Sequence, residues 1–260
     1  MNAAQLREAM QELPEPITDL APPFWEYWRY ELWQLVTSGG GPFAFPTWPC
    51  IYHTMLVNHW KEYVAAEFEY LAQDLGRWES AILATGPEKP KDYFRDTLYS
   101  RNLIHQAYHL ARWEDATGKR VEECADILEF GGGYGAMALV VHRMGFTGEY
   151  TIIDSPEFSL LQQFYLASAS VDNVSFGKVD SSESDLIIAC YSLSEVSLPQ
   201  RAEFLERHRA ASYLFLYSTK FVDYDNVAYF QQIMQPLDAG QWHHAPVEHL
   251  PPASWYTFGC

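Results

Sequence analysis

The chain has no apolar run that approaches the length of a membrane crossing. Its first residues, MNAAQLREAMQELPEP, also lack the apolar stretch of a secretion signal. A soluble, cytoplasmic protein is the expectation. Cysteine is sparse: Cys50, Cys124, Cys190 and Cys260 lie far apart without paired spacing. That pattern suggests neither a zinc knuckle nor a disulfide framework and suits a reducing compartment. Basic residues are scarce too, with 17 Lys and Arg against 34 Asp and Glu, a formal net charge of −17. Such a chain repels a nucleic-acid backbone and an anionic membrane surface, so neither is expected as a partner. There is no internal repeat and no low-complexity tract. No basic cluster marks an anionic acceptor and no Asp/Asp/Asn set marks a metal, so no metal site is expected.

Apolar and aromatic side chains are abundant. Hydrophobic residues make up 48% of the 260, including 9 Trp, 17 Tyr and 15 Phe, which suffices for one large domain or a domain with a lobe. Residues 1–92 read as an aromatic-rich helical lobe and residues 93–260 as the main domain, with the polar loop 86–91 (GPEKPK) as the hinge. In the lobe, residues 1–13 form an amphipathic helix stopped by Pro14 and Pro16. Pro22 and Pro23 start a second helix, on which Phe24, Trp28, Leu32 and Val36 share a face. Those rings suit core packing; some of them also suit the wall of a pocket for a sugar ring or planar substrate. Residues 43–50 (FAFPTWPC) read as extended, 51–75 as one long helix, and 78–83 as a short one. The lobe fits either a cap over the site or the interface of a homo-oligomer.

The stretch that organises the rest is 125–157, ADILEFGGGYGAMALVVHRMGFTGEYTIIDSPE. It reads as strand, glycine loop, helix, strand. Residues 125–130 are apolar and carry Glu129 near their end. Gly131, Gly133 and Gly135 alternate, and residues 134–144 then show helical spacing. A second apolar run, 150–153, ends in Asp154. Glycine removes the Cβ and permits positive φ, so such a loop can lie flat against a nucleoside. The helix behind it offers unpaired N–H groups. Asp154 can accept both ribose hydroxyls. Gly131, Gly133 and Ala136 fit the dinucleotide spacing G-x-G-x-x-A. The acid at Glu129 would repel a pyrophosphate but suits a positively charged ligand.

Further along, Ser100 caps a helix reaching Thr117. On it His105 and His109 stand four apart, which suits a shared metal, or solvent and core positions. A helix starts at Pro156, a third strand spans 174–176, and Asp180 follows it. Residues 185–190 (DLIIAC) are an unbroken apolar strand of a sheet covered on both faces. Tyr191-Ser192-Leu193-Ser194-Glu195 comes next, then a helix over 199–211, a strand at 213–217, a helix at 226–237, and two final strands at 242–250 and 255–260.

With Glu129 included, the loop resembles motif I of class I S-adenosylmethionine-dependent methyltransferases, E-x-G-x-G-x-G. From Arg101 on, the chain is similar to a narrower group, the sugar O-methyltransferases of that class. The carriers are EFGGGYG (129–135), YTIIDSPEFSLLQQFYL (150–166) and ACYSLSEV (189–196), three ordered blocks over about 120 residues. The group's pattern runs E-I-G-G-G-Y-G, then I-I-D-L-P-E with L-Q-x-Y-Y-L, then N-x-x-S-L-S-E. Here Phe130 replaces Ile, Ser155 replaces Leu, and the asparagine before SLSE is missing. The resemblance implies an α/β, Rossmann-like, seven-stranded sheet with its last strand antiparallel, preceded by a helical lobe. It implies S-adenosyl-L-methionine as cofactor and a small-molecule hydroxyl acceptor, such as a sugar. Glu129, Gly131, Gly133, Tyr134, Gly135, Asp154, Ser155, Asp180 and Tyr191 would line the cofactor, with Asp180 at the adenine amino group. Asp180 reads equally as a loop aspartate.

An alcohol is a poor nucleophile and needs a base beside its oxygen. Glu195, just past the fourth strand, is the best-placed candidate, with Asp223 and His243 behind it and Tyr191 as a group that positions the acceptor. Ser192 to Glu195 also fits a helix-capping turn. The competing functions are a methyltransferase-like binding protein with no catalytic base, and a nicotinamide oxidoreductase using Gly131, Gly133 and Ala136.

Overall fold

The computed structural model describes residues 1–16, 24–57, 61–84, 94, 98–177, 179, 182–237, 240–250 and 253–260. The chain folds into two compact units. The first gathers Met1–Ala107, Gly132–Arg143 and Asp154–Asp172, and the second Tyr108–Gly131, Met144–Ile153 and Asn173–Cys260. The division expected at residue 92 and the 86–91 hinge lie outside the described residues.

The second unit contains a seven-stranded sheet. Its strands are β1 (Asp126–Phe130), β2 (Glu149–Ile153), β3 (Val174–Phe176), β4 (Leu186–Cys190), β5 (Tyr213–Ser218), β6 (Trp242–Val247) and β7 (Ser254–Gly259). The order across the sheet is β6-β7-β5-β4-β1-β2-β3. Strands β1 to β5 are parallel, and β7 runs antiparallel between β5 and β6. This is the Rossmann-like arrangement expected of the class I methyltransferase fold, with the last strand reversed.

Strand alternation divides the side chains between two faces. Leu128, Ile187, Ala189, Tyr213, Phe215 and Tyr217 share one core with Phe204 and Leu205 from the Leu198–Arg207 helix and Phe230 and Leu237 from the Asn226–Leu237 helix. Tyr217 and Phe230 stack with centroids 3.9 Å apart. Burying each such ring contributes about 1.5–3 kcal/mol. Register places Glu129 and Tyr150 on the opposite face. On that side His109 Nδ1 hydrogen-bonds Tyr256, and Trp113 Nε1 donates to Ser212 Oγ at 3.0 Å. Both belong to the Arg101–Thr117 helix. Strand β4 is the fully apolar run, and Leu186 to Ala189 are buried.

The first unit is helical. Asn2 and Gln5 form a reciprocal capping box at the start of Ala3–Glu12. The aromatic side chains pack within this unit: Trp25 meets Phe158, Phe43 meets Phe164, and Phe45 meets both Tyr134 and Tyr165. On the Phe24–Thr37 helix, Leu32 and Val36 are fully buried, while Phe24 and Tyr27 remain exposed. Core packing therefore accounts for much of the aromatic richness. No helix among the described residues is long and apolar enough to cross a membrane.

Three elements differ from expectation. Residues 43–50 are compact, with a 3-10 turn at Pro42–Thr47 and a short helix at Pro49–Tyr52, because a proline at each start presets the helical φ. The helix expected over 51–75 is interrupted. Pro49–Tyr52 ends in a turn where the Thr54 hydroxyl takes the Cys50 carbonyl, and Lys61–Leu71 is a separate helix. The helix expected over 199–211 ends at Arg207, because His208–Ala210 pairs in parallel with Ser182–Ser184.

Candidate functional site

Strand order reverses beside β1: β2 and β3 lie on one side, β4 and β5 on the other. In open α/β sheets this switch point, at the carboxyl ends of the strands, is where ligands bind. Gly131 directly follows β1 with φ +70°, and its N–H donates to Ile153 O at 2.8 Å, at the end of β2. A Cβ here would run into the Ser192 side chain. Ser192 Oγ donates to the Phe130 carbonyl. Gly131 is thus required by the close approach of the segment after β4, a reason beyond room for a ligand.

Tyr191, first after β4, has φ +64°, a conformation that a bulky residue adopts only when its surroundings impose it. Its N–H donates to Leu216 O at 2.6 Å, and its hydroxyl lies 3.0 Å from Ser254 Oγ. These bonds draw the ends of β4, β5 and β7 together. Glu129 is 3% exposed and accepts a 2.9 Å hydrogen bond from the Tyr150 hydroxyl. Burial, and then the charge of Glu129, drive the Tyr150 phenol and the Cys190 thiol well above their ordinary values. Both stay protonated.

Glu195 closes the Ser192–Glu195 3-10 turn and is half-buried. Ser192 turns back to Phe130, and the next helix is capped by Ser197 with Gln200. The loop is braced by Arg201, fully buried, which donates to the carbonyls of Ser194 at 2.5 Å and Val196 at 3.0 Å and to Asn226 Oδ1 at 2.8 Å. Asp223 is exposed in the turn between Lys220–Phe221 and Tyr224–Asp225, past the end of β5. His243 pairs with Phe258 and, through it, with Leu214 near the start of β5, at the sheet edge opposite Tyr191.

In the first unit, Gly133 has φ +59° and Gly135 φ +100°. A Cβ on Gly135 would lie 3.3 Å from Leu166, whereas one on Gly133 would make only an ordinary contact with Met55 at 3.5 Å. At Gly133 the backbone conformation alone requires glycine. Asp154 Oδ1 accepts from the Ser155 N–H at 2.7 Å, and Oδ2 from Gln162 Nε2 at 2.7 Å. The same Gln162 nitrogen donates to Gly133 O at 2.9 Å. Burial pushes the Asp154 carboxyl up to about 6, against the lowering effect of the Ser155, Gln162 and Gly132 donors. Ser155 is the N-cap residue of the Pro156–Ser168 helix, and its Oγ has no partner among the described residues. Tyr134 is buried, and its hydroxyl accepts from Asn102 Nδ2 at 2.7 Å. Asp180 lies outside the described residues.

His105 Nδ1 is 2.8 Å from Glu67 Oε1, and His109 Nδ1 hydrogen-bonds Tyr256. No group of three or more His, Cys, Asp or Glu among the described residues could hold a metal ion. Two residues that sequence reasoning left unassigned bear on the loop, Gln162 and Asn102. Gln162 carried a signal, since it stands two helical turns past Asp154 and is the glutamine of the L-Q-x-Y-Y-L block. A buried asparagine inside a helix has no comparable mark.

No family model matches the sequence, and no curated protein matches it. Solved structures do. The precorrin-6y C5,15-methyltransferase of Geobacter metallireducens is 11% identical over 60% of this chain and 86% of its own, with a TM-score of 0.44. YcgJ of Bacillus subtilis is 15% identical over 54% and 70%, TM-score 0.42. The delta-N METTL16 methyltransferase domain is 10% identical over 79% and 99%, TM-score 0.46.

Proposed function

We propose that the chain is an S-adenosyl-L-methionine-dependent O-methyltransferase acting on a hydroxyl of a small molecule, with a sugar or glycosylated precursor as the acceptor class. The observation that carries this reading is the left-handed backbone at Gly131, Gly133 and Gly135 directly after β1, where the strand order reverses. The half-buried Asp154 after β2 and the buried Glu129 within β1 support it. The donor set suits the group. Asp154 is an acceptor for ribose hydroxyls, and an acid at Glu129 suits a positively charged ligand better than a phosphate.

Gly131, Gly133, Tyr134, Gly135 and Ser155 would hold the nucleoside and its amino-acid end, with Asp154 on the ribose and Asp180 on the adenine amino group. When bound, the cofactor supplies a methyl carbon on a sulfonium whose leaving group is a neutral thioether. Glu129 contributes negative potential from within the sheet. Glu195 would take the proton of the acceptor's hydroxyl. Tyr191 orients the acceptor. Most of the rate then comes from alignment, and general-base help contributes about 10²–10⁴-fold. The net charge of −17 favours a neutral acceptor over nucleic acid.

Calorimetry with S-adenosylhomocysteine and with NAD tests the cofactor. Binding of the first alone is the expected outcome; binding of NAD alone would replace the reading with an oxidoreductase. Mass spectrometry after incubation with S-adenosylmethionine and a panel of sugars reads the methyl gain and identifies the acceptor.

A further inference from the structure

Gln162 is fully buried on a helix whose neighbouring positions, Phe158, Leu161, Tyr165 and Leu166, are also buried. An apolar side chain of its length would fill that place at no polar cost. Instead the amide nitrogen serves two acceptors, Gly133 O at 2.9 Å and Asp154 Oδ2 at 2.7 Å. The amide oxygen is buried with no partner among the described residues. A buried polar atom left unpaired works against stability, so the arrangement calls for another explanation. What it achieves is a rigid tie: a single nitrogen fixes the glycine loop and the acid after β2 relative to each other.

We propose that Gln162 is a positioning residue for the nucleoside site, setting both the place of the Gly133 carbonyl and the orientation and protonation of the Asp154 carboxylate that receives the ribose. This inference rests on the methyltransferase reading. The groups facing Asp154 are the Ser155 and Gly132 N–H donors, Gln162, and Glu157 in the first turn of the following helix. Arg29 also interacts with Asp154 and is paired with Glu157 at 2.8 and 3.1 Å. Among these Gln162 and the two N–H groups favour the ionised form, while burial and Glu157 oppose it.

The test compares wild type with Gln162→Met, which keeps length and removes the donor, and Gln162→Glu, which keeps shape and adds a like charge. Carbon-13 NMR follows the Asp154 carboxyl in the ligand-free protein, and calorimetry follows S-adenosylhomocysteine from pH 5 to 8. The carboxyl midpoint moves upward by roughly one pH unit in Gln162→Met and further in Gln162→Glu. The pH below which affinity falls tenfold per unit moves with it. A purely structural role lowers affinity equally at every pH and leaves the midpoint in place; equal midpoints in all three proteins overturn the proposal. Should Gln162→Met not fold, Gln162→Glu alone decides. If the NMR midpoint moves while wild type binds no S-adenosylhomocysteine at any pH, the coupling stands, but the methyltransferase reading fails and with it the assigned ribose role.

Discussion

Asp154→Asn removes a carboxyl that burial drives from 3.8 to about 6. A carboxyl whose value is raised by folding supports the fold while protonated and opposes it once ionised. Its contribution is therefore intact below pH 3.8 and lost as pH rises through about 6. A displacement of that size is worth about 3 kcal/mol at 1.36 kcal/mol per pH unit. Asp154 keeps partial solvent access, and screening reduces the expected effect to about 1.5 kcal/mol. The assay is urea unfolding of wild type and Asp154→Asn at intervals from pH 3.5 to 7.5. Titrations common to both proteins cancel in the difference, and any fixed packing offset of the amide adds a constant. The wild type should lose about 1.5 kcal/mol relative to the variant across that window, mostly between pH 4 and 6. A difference that stays flat would mean the carboxyl titrates normally and is not effectively buried. A wild type that gains on the variant toward neutral pH would mean that the Ser155, Gly132 and Gln162 donors outweigh burial, reversing the sign.

Other substitutions follow from the same geometry. Gly131→Ala forces a left-handed backbone on a residue with a Cβ and drives it into Ser192; a loss of about 3 kcal/mol in chemical denaturation is expected. Tyr150→Phe leaves Glu129 buried without that hydroxyl; stability should fall by about 1–3 kcal/mol, and the Glu129 carboxyl, followed by NMR, should move upward. Glu195→Gln should lower kcat by about 10²–10⁴-fold while S-adenosylhomocysteine affinity by calorimetry stays unchanged. Unchanged turnover would remove Glu195 as the base.

Much of the sheet was legible because its strands are short apolar runs cut off by glycine, proline or acid. Residues 174–176 and 185–190 read as strands from composition alone, and the left-handed turns at the three loop glycines follow from their alternation. The misread elements turn on bonds that composition does not display, one of them to a partner distant in sequence. His208–Ala210 carries no helix-breaking residue; it leaves the helix because Ser182–Ser184 offers a parallel partner. The break after Tyr52 turns on a threonine hydroxyl competing for a carbonyl, which spacing does not reveal. In the candidate site the acids and glycines stood out by type. Of the groups that orient them, Gln162 was marked by its place in a motif block, whereas Tyr150 and Arg201 did not stand out, because each is recognised only by what it touches.

The antiparallel β7 has a consequence for how the chain assembles. Because residues 254–259 fill the gap between β5 and β6, the side of β5 stays unpaired during synthesis until that late segment emerges. A nascent chain cut or stalled before residue 254 would present a long, apolar, unsatisfied strand, Tyr213–Ser218, to its surroundings. Chaperone retention of such fragments, and rapid aggregation of C-terminal deletions that spare every residue of the glycine loop, are the behaviour this topology dictates.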